Sequence, residues 1–165
     1  GCRIAGASRI IAVDVMEKKL EYAKQFGATD VINASEVDPV EAAKDLTGDQ
    51  VEFAFEAIGN VHTARQAFDM LEIGGTAVIV GLHPDGSEIS FPGPEFSMLE
   101  KKVIGSLYGS TRFREHMPKL MELFRRGKLD LSGLVTRRVP QDGVNEAFQA
   151  MLDGEVVRSV MVYDS

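Results

Sequence analysis

The sequence predicts an α/β fold in which helices cover both faces of a doubly wound parallel sheet. Strands and helices alternate along the first half of the chain. The predicted strands are apolar at nearly every position, which is typical of strands buried on both faces. Glycines follow several of the elements and mark their ends. Together these features indicate parallel strands joined by crossover helices.

Local patterns predict each element of this half. A β-branched run predicts the first strand at 9–13, and apolar runs predict strands at 31–33, 51–56 and 76–80. Helices are predicted at 18–26, which Gly27 ends, and at 39–46, which has proline in its first turn. A third helix follows from an apolar stripe at i, i+3, i+4 and i+7, formed by Ala64, Ala67, Phe68 and Leu71.

The pattern changes after Gly81. Prolines and glycines at 83–94 predict an irregular loop with at most a short strand at 89–91. The remaining predicted elements are a strand at 103–107, a helix around 117–124, a helix at 144–152 and a strand at 156–163. We place a domain boundary near Tyr108, which divides the chain into residues 1–107 and 108–165.

Composition excludes several classes of function. The 165 residues carry a net charge of −7 with scattered basic residues, so no concentrated basic face for nucleic acid is expected. No apolar run approaches the roughly 20 residues of a membrane span. Cys2 is the one cysteine and cannot form an internal disulfide, so a reducing cytoplasm is the expected location. His62, His83 and His116 lack the short spacings of metal ligands.

Asp14 ends the first apolar strand and is the sharpest candidate for a binding residue. In dinucleotide-binding (Rossmann) sheets a glycine-rich loop follows the first strand, and an acidic residue roughly 20 positions later binds a ribose. Counting back from Asp14 places that loop before Gly1, so we predict an incomplete sheet whose first strand is missing. Such a chain should be poorly stable by itself. The alternative for Asp14 is a helix cap, because Asp14 and Glu17 have capping-box spacing.

The chain resembles the coenzyme domain of the zinc-containing medium-chain alcohol dehydrogenases, including the class III formaldehyde-oxidising branch. The segments that carry the resemblance occur in order and at matching spacing. They are residues 9–14, 26–29, 55–59, 74–76, 80–81 and 105–109, and Lys19 also matches. The resemblance implies that 1–107 is the remainder of an NAD-binding domain. It implies that 108–165 is a segment returning to the catalytic domain.

The resemblance also implies that the first predicted site lies around the end of the first strand. Asp14 would bind the adenosine ribose and repel the extra phosphate of NADP. Val15 would flank the adenine. Lys19 would lie near the ribose, although solvent exposure is the usual position of a lone lysine on a helix.

Four further parts of the chain complete the predicted cofactor site. Ala57, Ile58 and Gly59 would lie on the adenine side, unless they form only an ordinary strand exit with Gly59 in a turn. Val80, Gly81 and Leu82 would contact the nicotinamide half. Ser106, Leu107 and Tyr108 form the next such segment, with interdomain packing as the alternative for Tyr108. Arg158 would bind the pyrophosphate, unless it is an ordinary surface arginine.

The implied parent is an enzyme that transfers a hydride between an alcohol or aldehyde and NAD with the help of zinc. The zinc ligands and catalytic residues would lie outside this chain, and a homodimer would form through 88–92. One alternative is a zinc-free medium-chain quinone or enoyl reductase. Another is a nucleotide-binding fragment without catalysis. A methyltransferase also ends its second strand in an acid, but segments 55–59 and 105–109 argue against it.

Overall fold

Helices and strands alternate in the computed structural model, which describes residues 1–163. The chain forms two compact units, of which the first is Gly1–Arg112 and the second begins at Phe113. The predicted boundary near Tyr108, between a coenzyme domain and a segment of the catalytic domain, stays a prediction.

The first unit contains five helices and five strands together with a 3₁₀ turn at Leu107–Ser110. The helices are α1 (Cys2–Ala5), α2 (Glu17–Gln25), α3 (Pro39–Thr47), α4 (Val61–Asp69) and α5 (Gly93–Met98). The strands are β1 (Ile11–Asp14), β2 (Asp30–Asn33), β3 (Val51–Glu56), β4 (Leu71–Ile79) and β5 (Lys102–Gly105).

All strand pairs of the first unit are parallel, which confirms the predicted α/β class. One sheet has the order β1-β2 and the other has the order β3-β4-β5. Helix α3 contacts β2 and β3, and so touches both sheets. Within residues 1–163, β1 pairs only with β2, and β3 pairs only with β4. Both strands therefore keep one edge without a strand partner in the described part of the chain.

The core of the first unit lies between α4 and the sheet β3-β4-β5. Phe68 and Leu71 are fully buried, and Ala54 and Ala77 line the facing strands. The ring of Phe68 also packs against Phe91, with 4.9 Å between the ring centroids. The apolar stripe of α4 therefore faces the sheet, as its spacing predicts.

Lys101 is a buried cation beside this core. Its Nζ atom lies 4.9 Å from the centroid of the Phe68 ring and donates to the Phe68 carbonyl at 3.4 Å. It also forms an ion pair of 3.3 Å with Glu95 on α5. Buried charges are costly unless they are paired and hydrogen-bonded, and Lys101 meets both conditions.

The structure differs from the sequence prediction around β4 and α5. Helix α4 ends at Asp69, and Leu71 begins β4, where it pairs with Val51 of β3. The predicted helical position of Leu71 is therefore wrong. Helix α5 lies partly in the segment predicted to be irregular, and it begins with proline in its first turn. Strand β5 ends at Gly105, two residues before the predicted end.

The second unit contains helices α6 (Phe113–Arg125) and α7 (Val144–Leu152), strands β6 (Arg137–Val139) and β7 (Ser159–Met161), and two 3₁₀ turns. The two strands are parallel. Val139, Ala147 and Ala150 are buried and form the packing between α7 and this small sheet. Within residues 1–163, none of the helices has the length and apolarity that a membrane crossing requires.

Candidate functional site

Three predicted cofactor segments meet at one edge of the sheet β3-β4-β5. Glu56 is level with Ile79, and Ile79 is level with Gly105, so the carboxyl ends of the three strands are aligned. The amides of Val80 and Gly81 donate to the Glu56 carbonyl at 2.7 and 3.1 Å. Open α/β sheets bind ligands outside the carboxyl ends of their strands. The candidate site is therefore this edge.

We name the two loops that leave the edge by their residues. The β3 loop is Ala57, Ile58 and Gly59, and the β4 loop is Val80, Gly81 and Leu82. Segment 106–108 follows β5, and its first amide, that of Ser106, donates to the Ile79 carbonyl at 2.9 Å. The structure thus brings together nine of the residues predicted from the sequence.

Glycine is required where the β3 loop touches the β4 loop. Gly59 has a φ of +89°, and a Cβ atom there would lie 2.2 Å from the Leu82 carbonyl oxygen. A Cβ atom on Gly81 would lie 2.1 Å from the Gly59 nitrogen. The backbones of the two loops are therefore in direct contact, and no side chain fits between them.

Exposed side chains surround this contact. Ile58 is 72% exposed, Leu82 82% and Tyr108 77%. Tyr108 has a φ of +48°, which is uncommon for a residue with a side chain. Leu107 is also exposed, whereas Ser106 is half-buried. These apolar groups could cover the flat faces of a bound heterocyclic ring.

Glu56 is a residue of this edge that sequence reasoning missed as a site residue. It ends β3 and is 3% exposed. Its Oε1 atom accepts hydrogen bonds from the amides of Ile58 and Gly59, each at 2.8 Å, and from the Thr63 hydroxyl at 2.9 Å. A longer bond of 3.5 Å comes from the Asn60 amide. The signal in the sequence is an acid ending an apolar strand just before the start of a helix.

The hydrogen bonds to Glu56 favour its charged form. Burial is the largest single influence on the pKa of this carboxyl and raises it, but the hydrogen bonds from Gly59, Thr63, Ile58 and Asn60 together outweigh burial. The net effect holds the pKa below its ordinary value of 4.5. Glu56 is therefore a buried carboxylate at neutral pH.

This pKa shift predicts a pH dependence of stability. A carboxyl whose pKa is lower in the folded chain contributes stability above its unfolded value, near 4.5, and loses it as the pH falls through the folded value. We expect the chain to be more stable than Glu56→Gln above that pH, and the difference to shrink below it. Urea titrations from about pH 7 to about pH 3 measure both the difference in unfolding free energy and its decrease at low pH. A difference independent of pH would contradict the assignment.

Three other predicted residues belong to β1 and to the segment that follows it: Asp14 ends β1, Val15 comes next, and Lys19 lies in α2. Asp14 is half-buried and is the last residue of β1, level with Asn33 of β2. Its Oδ1 atom accepts a hydrogen bond of 2.9 Å from the Met16 amide. Val15 and Lys19 are exposed. The cofactor roles of these three residues stay predictions.

The capping box considered as the alternative for Asp14 is not formed. Met16 is the N-cap of α2, and no side chain caps that helix. Asp14 belongs to the strand instead, and its carboxylate closes a short turn onto Met16. Only one of its two carboxylate oxygens has a hydrogen-bond partner within residues 1–163. The other remains available to a ligand.

Arg158 belongs to the second unit, whereas the other predicted cofactor residues belong to the first unit. It is exposed, and its carbonyl accepts hydrogen bonds from the amides of Thr136 and Arg137, at 3.1 and 3.3 Å. The structure fixes its backbone beside the sheet β6-β7. Its predicted contact with a pyrophosphate stays a prediction.

His83 follows the β4 loop and is half-buried. The His83 Nδ1 atom lies 3.2 Å from the Gly81 carbonyl, and its Nε2 atom is buried without a partner within residues 1–163. In the same part of the chain, no group of three or more His, Cys, Asp or Glu side chains is arranged to hold a metal ion. The candidate site is thus built from backbone, apolar side chains and carboxylates.

The chain is similar to known proteins over nearly its whole length. It is 38% identical over 167 residues to an S-(hydroxymethyl)glutathione dehydrogenase of Haemophilus influenzae, covering 99% of this chain and 44% of the relative. A Synechocystis protein of the same name is 39% identical, with 99% and 45% covered. The chain therefore spans less than half the length of these curated relatives.

Solved structures and a family model agree with these relatives. The benzyl alcohol dehydrogenase from Acinetobacter calcoaceticus superposes with a TM-score of 0.92 at 34% identity, covering 96% of this chain and 44% of that one. An alcohol dehydrogenase zinc-binding domain protein from Burkholderia ambifaria gives a TM-score of 0.93 at 30% identity, with 99% and 44% covered. The family model described as zinc-binding dehydrogenase matches residues 1–126. The chain belongs to the zinc-binding dehydrogenase family.

Proposed function

We propose that this chain holds NAD for a zinc-dependent alcohol dehydrogenase, which transfers a hydride between a small alcohol or aldehyde and the nicotinamide. Membership of the family supports the reaction class. The names of the similar proteins, which include a benzyl alcohol dehydrogenase and S-(hydroxymethyl)glutathione dehydrogenases, support an alcohol-type substrate. The chain contributes cofactor binding and no catalytic residue.

The observation that carries the proposal is the position of Asp14. A carboxylate at the end of a parallel strand, with one oxygen open, suits the two hydroxyl groups of a ribose. Carboxylates accept charge-assisted hydrogen bonds, which are stronger than neutral ones. The same charge repels the additional phosphate of NADP. The proposal is therefore specific for NAD.

The remaining residues have complementary roles in the proposal. The β3 loop lies against the adenine side, and the β4 loop, with Ser106, Leu107 and Tyr108, takes the nicotinamide side. Val15 flanks the adenine and Lys19 lies near the ribose. Arg158 binds the pyrophosphate through its planar guanidinium. The glycines at the contact of the β3 and β4 loops let the two backbones approach each other, which keeps the two parts of the proposed site adjacent.

Zinc enters the proposal as a group held by residues outside this chain. No suitable set of ligands is present within residues 1–163. When bound, zinc polarises the alcohol or carbonyl oxygen as a Lewis acid. The residues of this chain bind and orient the cofactor, so their substitution should act first on cofactor affinity. A cytoplasmic location and a homodimer through 88–92 belong to the same proposal.

Cofactor binding tests the proposal directly. The chain has no tryptophan, so the fluorescence of NADH itself is the probe. We expect saturable binding of NADH by a longer protein that contains this chain, and binding of NADPH that is weaker by about a hundredfold, because a charged hydrogen bond is lost and repulsion is added. S-adenosylmethionine, added as a competitor, should not displace NADH.

The possible outcomes separate the alternatives. A preference for NADPH would favour the zinc-free reductase. Displacement by S-adenosylmethionine would favour a methyltransferase-like nucleotide site. Absence of NADH binding by a folded longer protein that contains this chain would overturn the proposal that this chain holds the cofactor.

A further inference from the structure

We propose that Glu56 is a positioning residue whose carboxylate holds the β3 loop and the β4 loop in the geometry that binds the cofactor. The inference rests on the proposed function, because it concerns the same edge of the sheet. In the proposed function no contact between Glu56 and the cofactor is assigned. Glu56 would act through the loops that it fixes.

The side chain of Glu56 holds the β3 loop. Oε1 accepts the amides of Ile58 and Gly59, so it fixes the backbone of the loop directly. The Thr63 hydroxyl donates to the same oxygen and ties it to the first turn of α4. Asn60 caps that helix and lies between these groups. One oxygen atom therefore joins the end of β3, the loop and the start of the helix.

The backbone of Glu56 and its second oxygen reach the β4 loop. The Glu56 carbonyl accepts the amides of Val80 and Gly81. Oε2 lies against Gly81, since a Cβ atom built there would be 2.5 Å from it. Oε2 is buried and has no hydrogen-bond partner within residues 1–163. The same residue thus contacts both loops, and the two loops contact each other through Gly59 and Gly81.

Burial of the unpartnered Oε2 atom has an energetic cost, which the hydrogen bonds accepted by Oε1 offset. A buried carboxylate oxygen without a partner is destabilising, and an apolar residue at the end of β3 would avoid that cost. Binding sites need supporting side chains that lock the groups in contact with the ligand. Ile58 and Leu82 are largely exposed and have little packing of their own. The hydrogen bonds to Glu56 therefore supply the rigidity that the loops otherwise lack.

A pair of matched substitutions tests the inference. Glu56→Gln keeps the size of the side chain, removes its charge and replaces one acceptor oxygen by an NH₂ group. Asp38→Asn is the control, because Asp38 is also a carboxylate that accepts two backbone amides, those of Val40 and Glu41, at the start of a helix. Asp38 adjoins neither loop in sequence. Both variants are compared with the unsubstituted sequence within a longer protein that contains this chain, at a temperature where all three are folded.

Two measurements are needed, one of cofactor affinity and one of loop rigidity. We expect the Kd for NADH to rise about tenfold in Glu56→Gln and to stay within about twofold in Asp38→Asn. Hydrogen exchange of the amides of Ile58, Gly59 and Gly81 should become faster by about tenfold in Glu56→Gln alone. If Glu56 had only a structural role, both variants would have lower melting temperatures and both would keep the unsubstituted Kd for NADH.

A second variant covers the case in which Glu56→Gln does not fold. Thr63→Val keeps the charge and removes one donor, so the Kd should rise by about threefold, which corresponds to one weakened hydrogen bond. Unchanged NADH affinity and unchanged amide exchange in the folded variants would overturn the role of Glu56 and leave the proposed function standing. Absence of NADH binding by the folded, unsubstituted longer protein would overturn the proposed function instead. The amide exchange then decides separately whether Glu56 fixes the loops.

Discussion

In a longer protein that contains this chain, replacing Asp14 by serine should weaken NADH binding about tenfold and reduce the preference for NADH over NADPH by about a hundredfold. The hydroxyl of serine replaces a charged acceptor by a neutral one, which accounts for the loss of NADH affinity. It also removes the negative charge from the end of β1, where the extra phosphate of NADPH would lie. The two effects act in opposite directions on the two cofactors, so their ratio changes more than either affinity.

Fluorescence titration of both cofactors measures this ratio. Asp45→Ser is the matched control, because it removes the same charge from an exposed position on α3, a helix without predicted cofactor contacts. The ratio should stay within about twofold in that variant, since Asp45 is exposed, has no predicted contact with the cofactor and is screened by salt. If Asp14→Ser leaves the preference unchanged, Asp14 does not bind the ribose.

The carboxyl ends of β1 to β4 could be predicted from the sequence to within one residue, whereas β5 ends two residues before its predicted end. Each apolar run stops at a residue that is unfavourable in a strand, such as Asp14 or Gly81, and the structure ends β1 and β4 at or just before these residues. Parallel strands then align their carboxyl ends without further information. This is why three separate predicted segments meet at one edge.

Local patterns were insufficient where tertiary pairing decides the structure. Leu71 has the spacing of the α4 stripe, but it pairs with Val51 in the sheet, and that pairing is decided by contacts distant in sequence. Asp14 and Glu17 have the spacing of a capping box, but β1 extends through Asp14 and moves the cap to Met16. Boundaries that differ by one or two residues can therefore change the role of a side chain completely.

Glu56 shows why part of the site could not be predicted. Its donors come from a turn at Ile58 and Gly59, and that turn depends on the positive φ of Gly59. A sequence does not state whether a glycine adopts such a conformation. The burial of Glu56 also depends on the approach of Gly81 from another strand. Only the assembled edge reveals that these groups converge on one carboxylate.

Substitution of Gly81 by alanine should strongly destabilise the folded chain. The added Cβ atom would lie 2.1 Å from the Gly59 nitrogen, 2.5 Å from the Glu56 Oε2 atom and 2.6 Å from the Gly59 Cα atom. Two of these three neighbours are backbone atoms, so no side-chain rotation relieves the clash. Either loop would have to move, and the hydrogen bonds that join Gly81 and Gly59 to Glu56 would be distorted. We expect a loss of about 3 kcal/mol or more in unfolding free energy.

Gly105→Ala provides the matched control for this prediction. Gly105 ends β5 at the same edge, its φ is not positive, and a Cβ atom there would meet nothing within 4 Å. Its substitution should change the unfolding free energy by no more than about 1 kcal/mol, because it removes no contact and adds no clash. Urea denaturation of both variants measures the difference. Equal stabilities of the two variants would contradict the close contact between the β3 and β4 loops. If only Gly81→Ala failed to fold, that result would agree with the contact, because the added Cβ atom clashes with backbone atoms.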